Sequence, residues 1–196
     1  MRRSILGGAA ALLVLAGARA RGGAPAATAG PALGRPVSID VVRAWDITVA
    51  SDGAGLSPGE GSVAEGHVLY DAKCRSCHGP AGVGGIADRL TGGIGSLASD
   101  KPVKTVASYW PYAPTLFDYI RRAMPLTAPQ SLGDRDVYSL VAYLLSIDGI
   151  VAADAALDAS GLARIRMPNR TGFVSLARQH FDGNAEHATM ARATGE

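Results

Sequence analysis

"KCRSCHGP", residues 73–80, holds the only two cysteines of this 196-residue chain, and a histidine follows the second directly. A disulfide, a zinc site and covalent haem attachment could each use such a pair. On an α-helix each residue advances by about 100°, so Cys74, Cys77 and His78 fall at about 0°, 300° and 40°. One turn can thus present two thiols and one imidazole to a single flat object.

Haem meets that demand: its two vinyl groups take the thiols as thioethers and its iron takes the imidazole, the C-x-x-C-H pattern of c-type attachment. The competitors fit less well. A bridge across two intervening residues closes a tiny loop and removes little chain entropy. A structural zinc site wants four N or S ligands, usually two spaced pairs, and the sequence has no second Cys or His pair. A thioredoxin-like pair wants a strand before its helix, whereas the segment before Cys74 has helical spacing. The reading is one covalently attached haem c.

Working outward, "SVAEGHVLYDAKCRSCHG" begins on a Ser62/Glu65 capping box and runs with Val68, Leu69 and Ala72 at helical spacing until Gly79-Pro80 stops it. A glycine-rich loop follows to Gly95. "APTLFDYIRRAM" (113–124) is a second helix with Leu116, Tyr119, Ile120 and Ala123 on one stripe, ended by Met124-Pro125. The last helix, within "SLGDRDVYSLVAYLLSIDG", has a Ser131/Asp134 capping box and the apolar face Val137, Leu140, Val141, Leu144 and Leu145, with Gly149 as its C-terminal stop. No strand pair or repeat stands out. The fold class is mostly α with long loops.

The flanks read differently. Residues 1–20 carry Arg2 and Arg3, an apolar run from Ile5 to Ala18 and the Ala18-Arg19-Ala20 pattern of a secretory signal. An uncleaved anchor is the alternative, although the run falls short of the roughly 20 residues that span a bilayer. Export to the periplasm is the expectation. Removing the signal takes the formal charge from +2 to −1, so nothing points to a nucleic-acid binder. Residues 21–60 form a flexible lead-in and an irregular extension, with Trp45 laid along a surface. The haem domain spans 61–150, and 151–196 is a C-terminal extension.

The iron needs a sixth ligand, and Met124, Met167, Met190, His67, His180 and His187 are the candidates. Met124 stands out: it ends a helix at a proline, precedes the capped last helix and follows His78 by 46 residues. Met167, also before a proline, is its rival. His67 sits on the attachment helix itself and cannot reach across the ring. Met and His together close the iron and favour the ferrous state, which implies one-electron transfer without bond-making. An open sixth position would restore a gas-binding or peroxidase role.

These residues resemble a class I c-type cytochrome in "CRSCHG" and "MP". Gly66 and Tyr70, with Leu140 and Tyr143, stand where that family's first and last helices cross. A narrower resemblance runs from about Gly34 to Val174, through "RAWDITV", "SYWPYAPTLFDYIRRAMPLTAPQSL" and "RIRMPNRTGF". It is to the haem subunits of periplasmic sulfite dehydrogenases and sulfane dehydrogenase (SoxD-type). It implies a molybdopterin-containing partner that oxidises a sulfur compound and passes electrons singly to this haem, for onward relay to a soluble cytochrome or oxidase. Some SoxD-type chains carry two haems; this one has a single C-x-x-C-H. Gly133 is also a departure, placed in the first turn of a helix.

Lys73 to Arg122 contains seven basic and three acidic residues, an excess that can steer an acidic partner or serve only as a solvated face. Arg121 and Arg122 could instead meet haem propionates. "YWPY" (109–112) is read as a cover for the haem edge, and the extensions as wrapping a partner subunit. Two rivals stay open. A free periplasmic shuttle predicts a monomer; a haem sensor predicts ready displacement of Met124.

Overall fold

The structure, a computed structural model, describes residues 33–174 of the 196. The signal at 1–20, Met190, His180 and His187 lie outside those residues. Two units separate at Ser38 and Ile39. Of the first, residues 33–38 are described and contain no helix or strand.

The second unit is mostly α, as the sequence implies. Its elements are α1 (Ile39–Trp45), β1 (Glu60–Ser62), α2 (Val63–Lys73), α3 (Arg75–His78), α4 (Val106–Tyr109), α5 (Ala113–Ala123), α6 (Asp134–Ile147), β2 (Ala156–Asp158) and α7 (Ala159–Arg164). Helix α6 is its axis: every residue from Val137 to Leu145 is buried. Such all-round burial needs neighbours on more than one face, and α2 with β1 packs on one side and α5 on another.

The α2–α6 crossing is set by small residues. A Cβ on Gly66 would stand 1.9 Å from the Ser139 carbonyl oxygen, and one on Gly61 would stand 2.3 Å from the Ser139 nitrogen. Only glycine permits that approach. One turn on, the rings of Tyr70 and Tyr143 meet at 5.3 Å between centroids. Consequently α2 buries Val63, Gly66 and Tyr70; of the expected stripe, Leu69 is half-buried against the core while Val68 and Ala72 face outward. The crossing overrides the apparent period.

The Ser62/Glu65 capping box forms: the Glu65 N–H donates to Ser62 Oγ at 3.3 Å and the Ser62 N–H to Glu65 Oε2 at 3.2 Å. Arg135 of α6 also donates to Glu65. Its hydrogen bond first, then those from Ser62, hold the Glu65 carboxyl down at about 2. The second expected box does not form. Gly133 is the N-cap of α6, and its N–H donates to Asp136 Oδ2 at 3.3 Å. Gly133 therefore sits before the first turn, where glycine is acceptable. At the far end Gly149 adopts φ 71°. Ile150 N–H then returns to Leu145 O and Gly149 N–H to Ser146 O, a Schellman ending.

On α5, Leu116 and Ile120 are buried as expected, but Tyr119 is 46% exposed. Phe117 fills the interior instead, its ring 4.6 Å from that of Tyr138.

Three findings concern the flanks. Residues 39–45 form α1 rather than an irregular segment, yet none of them is buried and Trp45 is 83% exposed. Trp45 is not laid on a surface. Second, β1 and β2 pair antiparallel with Gly61 opposite Leu157, a pairing too short to show alternation in the sequence. Third, Val49, Leu157, Leu162 and Met167 belong to the core. Both flanks beyond 61–150 thus serve this unit's own interior, each buried apolar side chain contributing about 1.5–3 kcal/mol.

Candidate functional site

Helix α2 ends at Lys73, and Cys74 (φ −119°, ψ −35°) opens the single turn α3. The expected continuous helix is interrupted there. Cys77 and His78 both donate their N–H to the Cys74 carbonyl, at 3.1 and 3.0 Å. The two thiols and the imidazole therefore do share one turn, and both cysteines are free. Burial pushes the Cys74 thiol up to about 11. It remains neutral at pH 7, unlike the low-pKa thiolate of a redox pair. Among the described residues no group of three or more His, Cys, Asp or Glu gathers as a metal cluster.

The loop after α3 turns back over this turn. Gly84 N–H donates to His78 O at 2.8 Å and Ala87 N–H to Cys77 O at 2.9 Å. A Cβ on Gly79 would lie 2.2 Å from Gly84 O, so the fold-back depends on glycine. It brings the Asp88 carbonyl to 2.8 Å from His78 Nδ1. A carbonyl only accepts, so Nδ1 carries the proton and Nε2 keeps its lone pair. That is the tautomer a metal-ligating histidine needs.

Two other anchors steady the loop. Tyr70 Oη donates to Gly79 O at 2.8 Å, and burial keeps that phenol protonated, up to about 12. Asp148, just past α6, accepts the Gly92 N–H with both oxygens, at 2.8 and 3.0 Å. The sequence reading missed the Asp88 carbonyl and Asp148. The run of glycines at 79, 82, 84 and 85 was the signal available for the first.

Met124 caps the C-terminus of α5, its N–H on Ile120 O at 3.0 Å. Its half-buried side chain packs against the core, as do those of Cys74, Leu90 and Trp110. Met167 is 2% exposed and belongs to the core itself. His67 is exposed on α2, stacked on Tyr143 at 4.9 Å with Nε2 3.7 Å from Asp71. Arg121 and Arg122 already have carboxylates: Arg121 reaches Asp134 at 3.2 Å and Arg122 reaches Asp118 at 2.8 Å. In the YWPY stretch, Trp110 sets its edge on Tyr119. Tyr109 and Tyr112 are gripped by the C-terminal flank: Asn169 Nδ2 donates to Tyr109 O at 2.7 Å, and Arg170 lies over the Tyr112 ring.

Comparison with known proteins decides the family. Residues 61–144 match the family described as cytochrome c oxidase, cbb3-type, subunit III. Among solved structures the chain is similar to the sulfane dehydrogenase SoxCD from Paracoccus pantotrophus, with 40% identity and a TM-score of 0.71. The likeness covers 76% of this chain and 74% of that one. The chain belongs to the cytochrome c family. Curated proteins gave no match.

A cytochrome c domain is an electron-transfer domain and carries haem c. The residues present fit the group: two free thiols on one turn, an imidazole with Nε2 open, and a half-buried thioether on the same core. Cys74, Cys77, His78 and Met124 could hold it. Among the described residues of this cytochrome, no helix is long and apolar enough to cross a membrane.

Proposed function

We propose that this cytochrome is a periplasmic, monohaem electron acceptor. It takes electrons one at a time from a molybdenum-containing subunit that oxidises sulfite or sulfane sulfur, and it passes them to the respiratory chain. The observation that carries the reading is the 40% identity, over three quarters of the chain, to a sulfane dehydrogenase.

Cys74 and Cys77 would hold the haem through their sulfurs, and His78 and Met124 would be the side chains that ligate its iron. When bound, haem supplies a one-electron iron couple whose potential a thioether ligand raises. The chain's own part is positional. The Asp88 carbonyl fixes the His78 ring and its tautomer, and Tyr70 and Asp148 hold the loop that bears that carbonyl. Helix α5 presents Met124 at its end. With His78 and Met124 both committed to the iron, the chain's residues would support electron relay and not substrate chemistry.

A second reading, the free shuttle, has one observation in its favour. Both flanks pack on the cytochrome's own core through Val49, Leu157, Leu162 and Met167, so these segments have a use without a partner. Gentle isolation from the native periplasm followed by sulfite addition separates the two. A co-isolated molybdenum chain and rapid haem reduction support the enzyme subunit with sulfite as donor. Such a chain without reduction by sulfite points to a sulfane donor, and a lone cytochrome left oxidised by sulfite supports the shuttle.

A further inference from the structure

The segment that carries Met124 is a loop from residue 124 to residue 133, between the last turn of α5 and the N-cap of α6. Arg121 stands three residues before Met124 and Asp134 is the first residue of α6. Their side chains meet across the base of the loop, Nε to Oδ1, at 3.2 Å. Both are half-buried, at 23% and 35% exposure, and among the described residues Arg121 has no other carboxylate within ion-pair distance. Leu132, which is buried, and half-buried Met124 also tie the loop to the interior. A pocket of about 300 Å³ opens beside the pair, lined by Ile47, Arg121, Gln130, Leu132, Gly133 and Asp134. Water and salt therefore reach one flank of the contact, while the core covers the other.

We propose that the Arg121–Asp134 ion pair is the latch of the Met124 loop: its strength sets how often the loop opens and so how readily an outside ligand takes the place of the methionine. The inference rests on the reading of Met124 as the sixth ligand. The chain's role is mechanical. Without the pair, the loop is held by buried Leu132, by the packing of Met124 on the core and by short local bonds such as Ala128 N–H to Pro125 O, and a segment with few anchors opens locally at small free-energy cost. Arg121 and Asp134 are positioning residues, acting through Met124. The exchange itself is a ligand substitution in which nothing is oxidised or reduced.

The test uses the holo-cytochrome in its ferric form and imidazole as probe. Binding is followed by the loss of the methionine–iron charge-transfer band. Arg121→Gln and Asp134→Asn should each bind imidazole roughly three- to fivefold faster than the native chain, the size expected for one partly exposed pair. The double variant should be no faster than the faster single one, because both remove the same contact. Arg121→Lys, which keeps the cation, should stay near the native rate, and added salt should speed the native chain but not the double variant. Native rates in both single variants would overturn the latch. So would acceleration by Arg121→Gln alone, since the guanidinium would then be serving another anion, such as a haem carboxylate. Met124→Ala is the separate control: a charge-transfer band that survives it defeats the ligand reading, whatever the latch variants do.

Discussion

The two sides of this cytochrome's site are held in different ways. On the His78 side the imidazole, the loop behind it and its acceptor all lie within residues 74–95, and most of the contacts are backbone hydrogen bonds spanning ten residues or fewer. On the Met124 side the ties are long-range and made by side chains. Asp118 of α5 accepts the N–H of Val49, 69 residues away, at 3.1 Å. Arg121 closes on α6, and Asn169 and Arg170 reach back from the C-terminal flank to Tyr109 and Tyr112. One side is a turn built mostly from local backbone bonds. The other is a helix end clasped by both flanks. The His78 side should therefore tolerate loss of the flanks, while the Met124 side should loosen.

The largest effects come where the sides share a frame. Gly66→Ala places a methyl against the Ser139 backbone, where only main-chain movement can relieve it. It should cost about 3 kcal/mol in denaturant unfolding, and both sides of the site should suffer together. Met167→Ala and Met124→Ala divide the comparison more finely. Truncating the buried Met167 should cost about 3 kcal/mol of stability and leave the methionine–iron band in place. Truncating half-buried Met124 should cost less and remove the band. Visible spectra and denaturation of the pair show whether stability and ligation separate in this way.

A smaller effect tests the His78 side. Tyr70→Phe removes the 2.8 Å bond to Gly79 O and leaves that carbonyl only the longer one from the Gly82 N–H, at 3.3 Å. The cost should be about 1–2 kcal/mol, seen as faster amide exchange through residues 79–88 with the Met124 loop unchanged. The smallest concerns acid. Glu65 titrates at about 2 in the folded chain against an ordinary 4.5. Its contribution is therefore fully present above pH 4.5 and is lost as pH falls from there towards 2. Glu65→Gln should flatten the fall in denaturation midpoint across that window.

The same difference in range explains what could be read from the sequence. The attachment turn, the Ser62/Glu65 box and the course of α5 and α6 follow from local spacing, and the Gly66–Tyr70 crossing from the family resemblance. The Asp88 carbonyl escaped because a backbone acceptor has no residue type to mark it. Val49 and Asp118 are unremarkable in the sequence, and only the fold brings them together. The β1–β2 pairing was invisible for want of length, and α1 because its apolar residues resemble a strand patch and none of them is buried. Local chemistry was legible; long-range clasping was not.

The most direct measurement is the methionine–iron charge-transfer band of the ferric holo-cytochrome, looked for in the native chain, Met124→Ala and Met167→Ala. The account predicts the band in the native chain and in Met167→Ala, and its absence from Met124→Ala with the haem still covalently attached. A band that persists in Met124→Ala and vanishes in Met167→Ala would contradict it.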